Sequence, residues 1–245
     1  MIPTQVNHIS AVGALALFLA CAPAGNTTRG AETTTVTRAE TTTVTRAETA
    51  LVAAKPTLPD SNITRADLAR IQGSATAPVW VIEVSDFQCP YCKQWHDQTY
   101  AALRDQYVKT GKVRLAYVNF PLASHAHAWP AAESAMCAGA QGKFWPMHDG
   151  LFATQNHWEA LGSPTAVFDS LAQANGLDMK RWRDCVKSGM MKPLIEADHD
   201  RASRAGAAAT PSFMIGDKIL TGAQSIEELR KAIDSAQVKS KKTTP

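Results

Sequence analysis

A buried strand followed by a helix and then by a second strand is the feature that most restricts the fold of this chain. Val79–Ile82 and Val84 form a nearly continuous apolar run, which is typical of a strand buried on both faces. From Pro90 to about Lys109 the large apolar residues recur at helical spacing, and Gly111 ends that pattern. Val113 to Phe120 is predicted to be the next strand. Strands joined through a helix at this spacing lie parallel, so the chain is predicted to contain a βαβ unit.

The remainder of the chain predicts a helical segment, a hairpin and a closing helix. Residues 127 to about 206 are rich in Ala, Met and Trp and are interrupted by glycines, which favours four or five helices and no strand. Ser212–Ile215 and Lys218–Leu220 flank a Gly-Asp pair, which indicates a hairpin. Ser225, with a glutamate three residues later, is predicted to cap the last helix. The order βαβ, helical insertion, ββα is that of an α/β fold.

The N-terminal part of the chain is predicted to be a targeting signal and a tether. Ala11 to Ala20 is an apolar run, far shorter than the roughly 20 residues that span a bilayer, and it suits a secretory signal over residues 1–21. The run ends at Cys21 in a sequence that resembles a bacterial lipoprotein processing site, where the cysteine would be lipidated. Plain cleavage and an uncleaved anchor are the alternatives. Residues 22–61 are Thr-rich with a repeated octad, which predicts a flexible tether.

Charge and composition bound the classes of partner. Apolar residues make up 45% of the 245-residue chain, which suits a domain with a proper core, predicted here over residues 62–238. The net charge of +3 is small for this size, so no nucleic-acid partner is expected. The lysines within residues 239–245 are predicted to form a solvated basic tail.

The cysteine count supports an exported protein with two disulfides. There are 5 cysteines, and an odd number in an exported protein leaves one thiol to be explained. If Cys21 is lipidated or removed, four remain, at positions 89, 92, 137 and 185. In an oxidising compartment these four are enough for two disulfides.

Cys89-Pro90-Tyr91-Cys92 lies where the first strand gives way to the first helix. Pro90 suits the first helical position, which places Cys89 at the N-cap, where unpaired N–H groups and the helix dipole favour a thiolate. A lowered pKa would make Cys89 the attacking sulfur, and Cys92, about one turn further on, would resolve the mixed disulfide. The alternative for this spacing is half of a zinc or iron–sulfur site, which needs a second half that the sequence lacks. No metal and no cofactor are expected.

The motifs taken together resemble those of the DsbA-like disulfide oxidoreductases of the thioredoxin superfamily. The resembling segments, in order, are Gly73-Ser74, Ala77-Pro78-Val79, Ser85 to Cys92, Phe120-Pro121-Leu122, Ala140 to Trp145, His148-Asp149, Leu151-Phe152, Gly176-Leu177-Asp178 and Ala209 to Phe213. The likeness spans about residues 63 to 236. It implies a thioredoxin-like fold with an inserted helical subdomain, and an enzyme of thiol–disulfide exchange.

The resemblance also implies roles for residues around the cysteine pair. Thr210-Pro211 matches the cis-proline loop that faces the redox pair and binds an extended substrate segment; an ordinary trans proline is the alternative. Glu83, six residues before Cys89, matches the buried acid that lies beneath the disulfide in thioredoxin-like proteins. A raised pKa and a proton-relay role for Cys92 are the hypothesis, and a solvent-facing position is the alternative.

Some members of the family carry a second cysteine pair in the helical insertion. The resemblance therefore implies a structural disulfide between Cys137 and Cys185, which would close a loop of about 48 residues and contribute about 2–4 kcal/mol. A second redox-active pair, or two free core cysteines, is the alternative.

The direction of electron flow is the open part of the functional hypothesis. The first hypothesis is a dithiol oxidase of the bacterial periplasm or cell envelope, which donates the Cys89–Cys92 disulfide to exported proteins and is reoxidised by a membrane partner. Tyr91 stands where strong oxidants of this family often have His, so a less extreme oxidant is expected. An isomerase or reductase kept reduced by a membrane electron donor is the second hypothesis. A binding protein that uses the fold as a scaffold is the third.

Overall fold

The structure of the protein is a computed structural model that describes residues 61–243. The predicted signal, Cys21 and the tether up to residue 60 lie outside the described residues. Within the described part, five strands form one sheet: β1 (Ile71–Gln72), β2 (Val79–Ser85), β3 (Val113–Asn119), β4 (Ser212–Ile215) and β5 (Lys218–Thr221). Their order is β1-β3-β2-β4-β5.

The sheet is mixed, and β2 lies at its centre. β2 and β3 are parallel, which confirms the predicted βαβ unit. β4 runs antiparallel to β2, β5 antiparallel to β4 and β1 antiparallel to β3. A strand with neighbours on both edges and helices near both faces buries most of its side chains, which explains the apolar run in β2.

The helices of the described residues are α1 (Ser61–Ala69), α2 (Pro90–Trp95), α3 (Ala101–Leu103), α4 (Ala128–Gly139), α5 (Phe144–Ala153), α6 (Gln155–Trp158), α7 (Thr165–Ala174), α8 (Met179–Ser188), α9 (Lys192–Arg204) and α10 (Ile226–Thr243). α4 to α9 form the predicted insertion, with six segments instead of four or five. The extra segment is α6, which is a single turn and therefore too short to show a helical period.

The helix after β2 contains two π-helical turns, which the sequence did not predict. α2 continues through a π turn at His96–Tyr100 into α3, and a second π turn follows at Arg104–Val108. A π turn adds one residue to a helical turn, so it rotates the side chains after it without ending the helix. Such turns are frequent at functional sites.

Two large apolar clusters hold the described residues together, and a smaller third one contains Val84, Phe120, Ala202 and Ala207. One joins the sheet to the helix after β2 and to α10, and includes Val81, Leu115, Phe213, Leu103 and Ile233. The other fills the helical insertion and reaches the active-site end of β2 and β3 through Phe87 and Tyr117. The insertion is therefore packed against the sheet rather than attached as a separate unit.

The folded domain extends beyond both of its predicted boundaries, residues 62 and 238. α1 begins at Ser61, so that residue belongs to the fold and not to the tether. α10 continues to Thr243, so residues 239–243 are the end of a helix rather than a separate basic tail. Lys239 Nζ binds Asp217 Oδ2 in the β4–β5 turn at 2.6 Å. The prediction was wrong here because lysine and serine are compatible with a helix, and no proline interrupts the segment before Pro245.

At the N-terminus of α10, Ser225 Oγ accepts a hydrogen bond from Glu228 N at 3.2 Å, as predicted. Among the helices in residues 61–243, none combines the length and the apolar character that crossing a bilayer requires.

Candidate active site

The end of β2 and the start of α2 position the two cysteines. Cys89 is the N-cap of α2, with extended backbone (φ −70°, ψ 124°), and Pro90 occupies the first turn. The Cys89 carbonyl accepts from Lys93 N at 3.1 Å, which is the first hydrogen bond of the helix. Both thiols are free in this structure. Cys89 retains 3% exposure and Cys92 none, so a partner sulfur reaches Cys89 first.

Hydrogen bonds lower the pKa of the Cys89 thiol to about 6. The largest contribution is the hydrogen bond from the Cys92 thiol; an interaction with Thr210 and the backbone N–H groups of Cys92 and Tyr91 add to it, against the effect of burial. Cys89 is therefore mostly a thiolate at neutral pH. Its pKa lies between the values of about 7 and 3.5 that are typical of thioredoxin and of DsbA.

Cys92 has the opposite environment. Burial raises the pKa of its thiol well above the ordinary value, and the neighbouring Cys89 raises it further through hydrogen bonding and charge. Only an interaction with Ser85 and a backbone hydrogen bond from Asp86 act the other way. The pair thus consists of one thiolate at the surface and one protonated thiol beneath it.

The loop before β4 faces the pair. The Thr210–Pro211 peptide bond is cis. Cys89 Sγ lies 3.4 Å from the Thr210 carbonyl oxygen, to which it donates as a thiol. The Pro211 carbonyl accepts from Gly222 N at 2.8 Å, which ties the loop to the end of β5. Tyr91, between the cysteines, is 62% exposed and offers an aromatic surface beside the sulfur.

Glu83 is completely buried in the middle of β2, beneath the pair. Burial is the main cause that raises the pKa of its carboxyl to about 8; a weak interaction with Ser85 opposes the shift and the charge of Asp149 adds to it. Neither carboxyl oxygen has a hydrogen-bond partner of normal geometry. The solvent-facing alternative for Glu83 is therefore wrong, and at neutral pH most of this carboxyl is protonated.

Hydrogen bonds from side chains with no role predicted from the sequence hold the segment between β2 and Cys89. Asp86 Oδ1 accepts from Gln88 N at 2.7 Å, and its Oδ2 accepts from Leu122 N and binds His125 Nδ1, both at 2.8 Å. Gln155 Nε2 donates to the carbonyls of Phe87 and Cys89 at 2.7 and 3.1 Å. These bonds fix the direction in which Cys89 presents its sulfur.

Gln88 joins this segment to the helical insertion. Its Oε1 accepts from His127 N at 2.6 Å, and its Nε2 donates to the Glu159 carbonyl at 3.0 Å. The sequence shows that Asp86 and Gln88 are polar residues directly after a buried strand, which is a sign of a functional loop. Their long-range partners, however, are 36 to 71 positions away. No local pattern predicts such pairs.

His148 forms a second polar centre behind the pair, at the side of α5. It is completely buried among aromatic rings: those of Phe87, His96, Tyr100, Tyr117, Phe144, Trp145 and Phe152 lie 5.0–6.1 Å from its own. Its Nδ1 lies 2.8 Å from Asp149 Oδ1, and His96 Nε2 lies 3.4 Å from the same oxygen.

These two histidines and Asp149 offer three possible ligand atoms within 4.8 Å of one another. Those atoms already bind one another, however, and the Arg104 guanidinium lies 3.8 Å from Asp149 Oδ2. A cation at this point would face a fixed positive charge. The group is therefore described as a hydrogen-bonded cluster.

The second cysteine pair lies in the insertion, away from this centre. Cys137 of α4 and Cys185 of α8 form a disulfide with a Cα–Cα distance of 5.8 Å and a sequence separation of 48. Both residues belong to the apolar cluster of the insertion. The bond joins two helices that also pack through Trp182, whose Nε1 donates to the Ser134 carbonyl at 3.1 Å.

Comparison with known proteins places this geometry in a family. The family model described as Thioredoxin (Thioredoxin_4) matches residues 66–235. A Na(+)/H(+) antiporter NhaA 3 of Salinispora tropica is 34% identical over 171 residues, which are 69% of this chain and 25% of the antiporter. This chain thus spans about a quarter of the length of that relative. A probable disulfide bond formation protein D of Bacillus anthracis is 26% identical over 165 residues, 66% of this chain and 75% of the relative.

A solved structure agrees with these matches. BdbD from Bacillus subtilis, in its oxidised form, superposes with a TM-score of 0.63 at 21% identity, over 69% of this chain and 92% of that chain. At this identity the likeness shows the fold. With the family match over residues 66–235, it confirms the thioredoxin-like fold with a helical insertion that the sequence predicted. The chain belongs to the thioredoxin family, with the fold of the DsbA-like members.

Proposed function

We propose that this protein is an exported protein-disulfide oxidoreductase that introduces disulfides into other exported proteins through Cys89 and Cys92. The observation that carries the proposal is the asymmetry of the pair, in which Cys89 is stabilised as a thiolate at a helix N-terminus and Cys92 is held as a buried thiol. Stabilising the thiolate stabilises the reduced enzyme, which makes the disulfide form a better oxidant. The printed names of several relatives, such as the disulfide bond formation protein D of Bacillus anthracis, agree with this chemistry.

The proposed reaction starts from the oxidised enzyme. A substrate thiolate attacks Cys89 Sγ, the Cys89–Cys92 bond breaks, and its electron pair leaves on Cys92 Sγ, which takes up a proton. A second substrate thiolate then attacks the substrate sulfur of the mixed disulfide and releases Cys89 as a thiolate. The substrate loses two electrons and the enzyme gains them. The low pKa of Cys89 makes it the better leaving group in the second step.

Glu83 is proposed to exchange the proton of Cys92. It is the buried acid beneath the pair, and at neutral pH it carries a proton that it can give to the leaving thiolate. The interactions of Ser85 with both Cys92 and Glu83 place its hydroxyl near the two groups. Its pKa of about 8 lets Glu83 regain a proton at neutral pH, and when Cys92 later attacks to re-form the disulfide, the Cys92 proton leaves by way of Glu83.

The Thr210-Pro211 loop is proposed to hold the substrate. Its backbone faces Cys89, with the Thr210 carbonyl 3.4 Å from the sulfur, so an extended substrate segment can lie alongside it. The exposed ring of Tyr91, two residues after Cys89, is available for an apolar contact with the substrate. We expect unfolded or partly folded polypeptides with cysteines to be the substrates, because backbone recognition is independent of sequence.

Export, a periplasmic or cell-envelope location and reoxidation by a membrane redox partner belong to the same proposal. They are supported by the apolar run before Cys21 and by the disulfide between Cys137 and Cys185, since disulfides persist in oxidising compartments. Lipidation of Cys21 would anchor the protein to the membrane.

The reduction potential of the pair tests the direction of electron flow. The measurement is an equilibrium titration against glutathione in a Cys21→Ser variant, with Cys21→Ser/Cys89→Ser as the control that shows no transition. A potential of about −120 to −180 mV supports disulfide donation. A value near about −270 mV would make the protein a reductant, and the reductase hypothesis would replace the proposal. The absence of any titratable pair would leave only the scaffold hypothesis.

A further inference from the structure

The buried polar atoms around Glu83 are not accounted for by the reaction described above. Both oxygens of Glu83, Ser85 Oγ, Tyr117 OH and His148 Nε2 are buried without a hydrogen-bond partner of normal geometry. Unpaired polar atoms in a core are costly, and a native protein rarely collects several in one place without a use for them. Glu83 and Tyr117 are direct partners in the β2–β3 register, so their side chains lie on the same face of the sheet.

These atoms are not hydrogen-bonded to one another in this structure, but their residues lie next to one another between the redox pair and Asp149. Ser85 interacts with Cys92, with Glu83 and with the Tyr117 hydroxyl. The Tyr117 ring packs edge-on against His148, with 5.3 Å between the ring centroids. His148 in turn binds Asp149 at 2.8 Å, and the Asp149 side chain is 41% exposed.

The protonation states give this series a direction. Burial raises the pKa of Asp149, but hydrogen bonds from His148 and His96 lower it well below the ordinary value, so Asp149 is a carboxylate. A carboxylate only accepts, so His148 Nδ1 carries the proton. Burial lowers the pKa of His148 to about 4, so Nε2 holds a free lone pair. That lone pair is the unpartnered acceptor in the core, and the protonated Glu83 is the unpartnered donor.

We propose that His148 and Asp149 carry the proton of Glu83 to solvent, with the Tyr117 hydroxyl as the bridge, when Cys92 attacks to re-form the disulfide. This proposal rests on the proposed function. Cys92 gives its proton to one oxygen of Glu83 while the other oxygen gives a proton toward His148 Nε2. His148 then loses its Nδ1 proton to Asp149, which releases it to water. The electron pair of Cys92 forms the bond to Cys89 Sγ, and the electron pair of the broken bond leaves on the partner sulfur.

The titratable and charged groups facing Glu83 and His148 come from every side of the cluster. They are Cys92 of α2, His96 and Tyr100 of the first π turn, Tyr117 of β3 and Asp149 of α5, with Asp86 and Arg104 behind them. The π turn at His96–Tyr100 contributes two of these groups, and their rings stack at 5.2 Å. Arg104 lies beside Asp149 and favours its charged form.

The test follows the reduced protein, carrying Cys21→Ser, after mixing with 5,5′-dithiobis(2-nitrobenzoate). The Cys89 thiolate attacks the reagent and releases one nitrothiophenolate; Cys92 then attacks Cys89 and releases the second. The first phase therefore reports Cys89 and the second reports loss of the Cys92 proton. We expect His148→Gln to slow the second phase about tenfold or more near pH 6–7, with recovery at higher pH and an unchanged first phase. His157→Gln, an exposed histidine of α6, is the matched control and should leave both phases unchanged.

Two further variants make the outcome decisive. Asp149→Asn should slow the second phase in the same direction, and it tests the relay even if His148→Gln does not fold. Glu83→Gln/His148→Gln should be no slower than Glu83→Gln alone, because both residues act on one proton; a merely structural role for His148 would slow it further. Second phases equal to wild type at every pH in His148→Gln and Asp149→Asn would overturn the relay. A wild-type protein without a rapid second phase would instead overturn the proposed function.

Discussion

The two cysteine pairs lie near opposite ends of their helices. Cys89 caps the N-terminus of α2, where backbone N–H groups and the Cys92 thiol stabilise its charge. Cys137 is the third residue from the end of α4 and Cys185 the fourth from the end of α8, where the carbonyl end of the helix dipole disfavours a thiolate. Thiol–disulfide exchange needs a stabilised thiolate as attacking or leaving group. The same chemical group is thus suited to exchange in one place and to a lasting bond in the other.

The surroundings of the two pairs differ in the same sense. Around Cys92, polar side chains without partners are buried next to the sulfur, among them Glu83 and Ser85. The Cys137–Cys185 bond lines a cavity together with polar residues such as Gln141, Asp184 and Ser188, which are themselves partly or fully exposed. The polar groups at the redox pair are therefore enclosed in the core, whereas those at the insertion pair border the surface.

The sharpest way to break this comparison is to disrupt each pair in turn by replacing its cysteines with serine. Cys89→Ser should reduce thiol–disulfide exchange with a reduced, unfolded test protein to the uncatalysed background, because no other described thiol is stabilised as a nucleophile. Cys137→Ser/Cys185→Ser should keep the activity of the wild-type protein under conditions where both are folded. Loss of exchange in the second variant at normal stability would show that the insertion pair is redox-active.

Glu83 should give the region around Cys92 a pH-dependent stability that the insertion lacks. Its folded pKa of about 8 lies above the unfolded value, so the folded state binds the extra proton, and stability falls as pH rises between the two values. The unfolding free energy of Glu83→Gln should therefore rise relative to that of wild type by about 1.4 kcal/mol per pH unit from about pH 5 to pH 8. The measurement is the difference in unfolding free energy from urea titrations across this range.

Taking a difference is necessary because other groups titrate in the same range. The lowered pKa of Cys89 makes the protein more stable as pH rises above about 6, which opposes the effect of Glu83. Glu196→Gln, which makes the same chemical change at an exposed position of α9, is the matched control. A difference that does not change with pH for Glu83→Gln would contradict its burial as a protonated acid.

The insertion pair should matter for stability. Cys137→Ala/Cys185→Ala should lower the unfolding free energy by about 2–4 kcal/mol, because the unfolded chain regains the entropy of an open loop. The reduction potential of the Cys89–Cys92 pair should stay unchanged, since the groups that shift the pKa values of Cys89 and Cys92 are other residues. Urea unfolding and the glutathione titration measure the two quantities on the same variant. A changed potential at unchanged stability would reverse the roles assigned to the two pairs.

The smallest expected effect concerns the loop that faces Cys89. Thr210→Val removes a hydroxyl that lowers the pKa of Cys89 but has no hydrogen-bond partner of normal geometry, so the pKa should rise only slightly above its value of about 6. A single hydrogen bond of ordinary strength corresponds to about one pKa unit or less. The pH dependence of Cys89 alkylation by iodoacetamide gives the midpoint, with Thr165→Val on the exposed start of α7 as the control. An unmoved midpoint would leave Cys92 and the backbone as the stabilising groups.

Local patterns in the sequence predicted the elements that carry the pair. The apolar run of β2, the proline after Cys89 and the Gly-Asp turn between β4 and β5 act over a few residues, and the structure has each of them where it was expected. The short strand β1 and the helix α1 were not predicted. Two residues of strand show no alternation, and α1 has a weak apolar face with Ala66 as its buried residue.

The partners of the site residues were beyond such patterns. His148 and Asp149 belonged to a motif of the family resemblance, but nothing in the sequence says that His148 is enclosed by aromatic rings from four different segments. The same holds for Gln155, which holds the carbonyl of Cys89 from 66 positions away. These contacts depend on how α5 and α6 pack on the end of the sheet.

By itself, then, the sequence determined the order of the elements, the place of Cys89 at a helix N-terminus and hence which sulfur can become a thiolate, because propensity, helix capping and the helix dipole are properties of neighbouring residues. Only the tertiary structure decided which Cys92 neighbours can exchange its proton. Burial and hydrogen-bond partners set the pKa values of Glu83 and His148, and both depend on side chains brought together from distant parts of the chain.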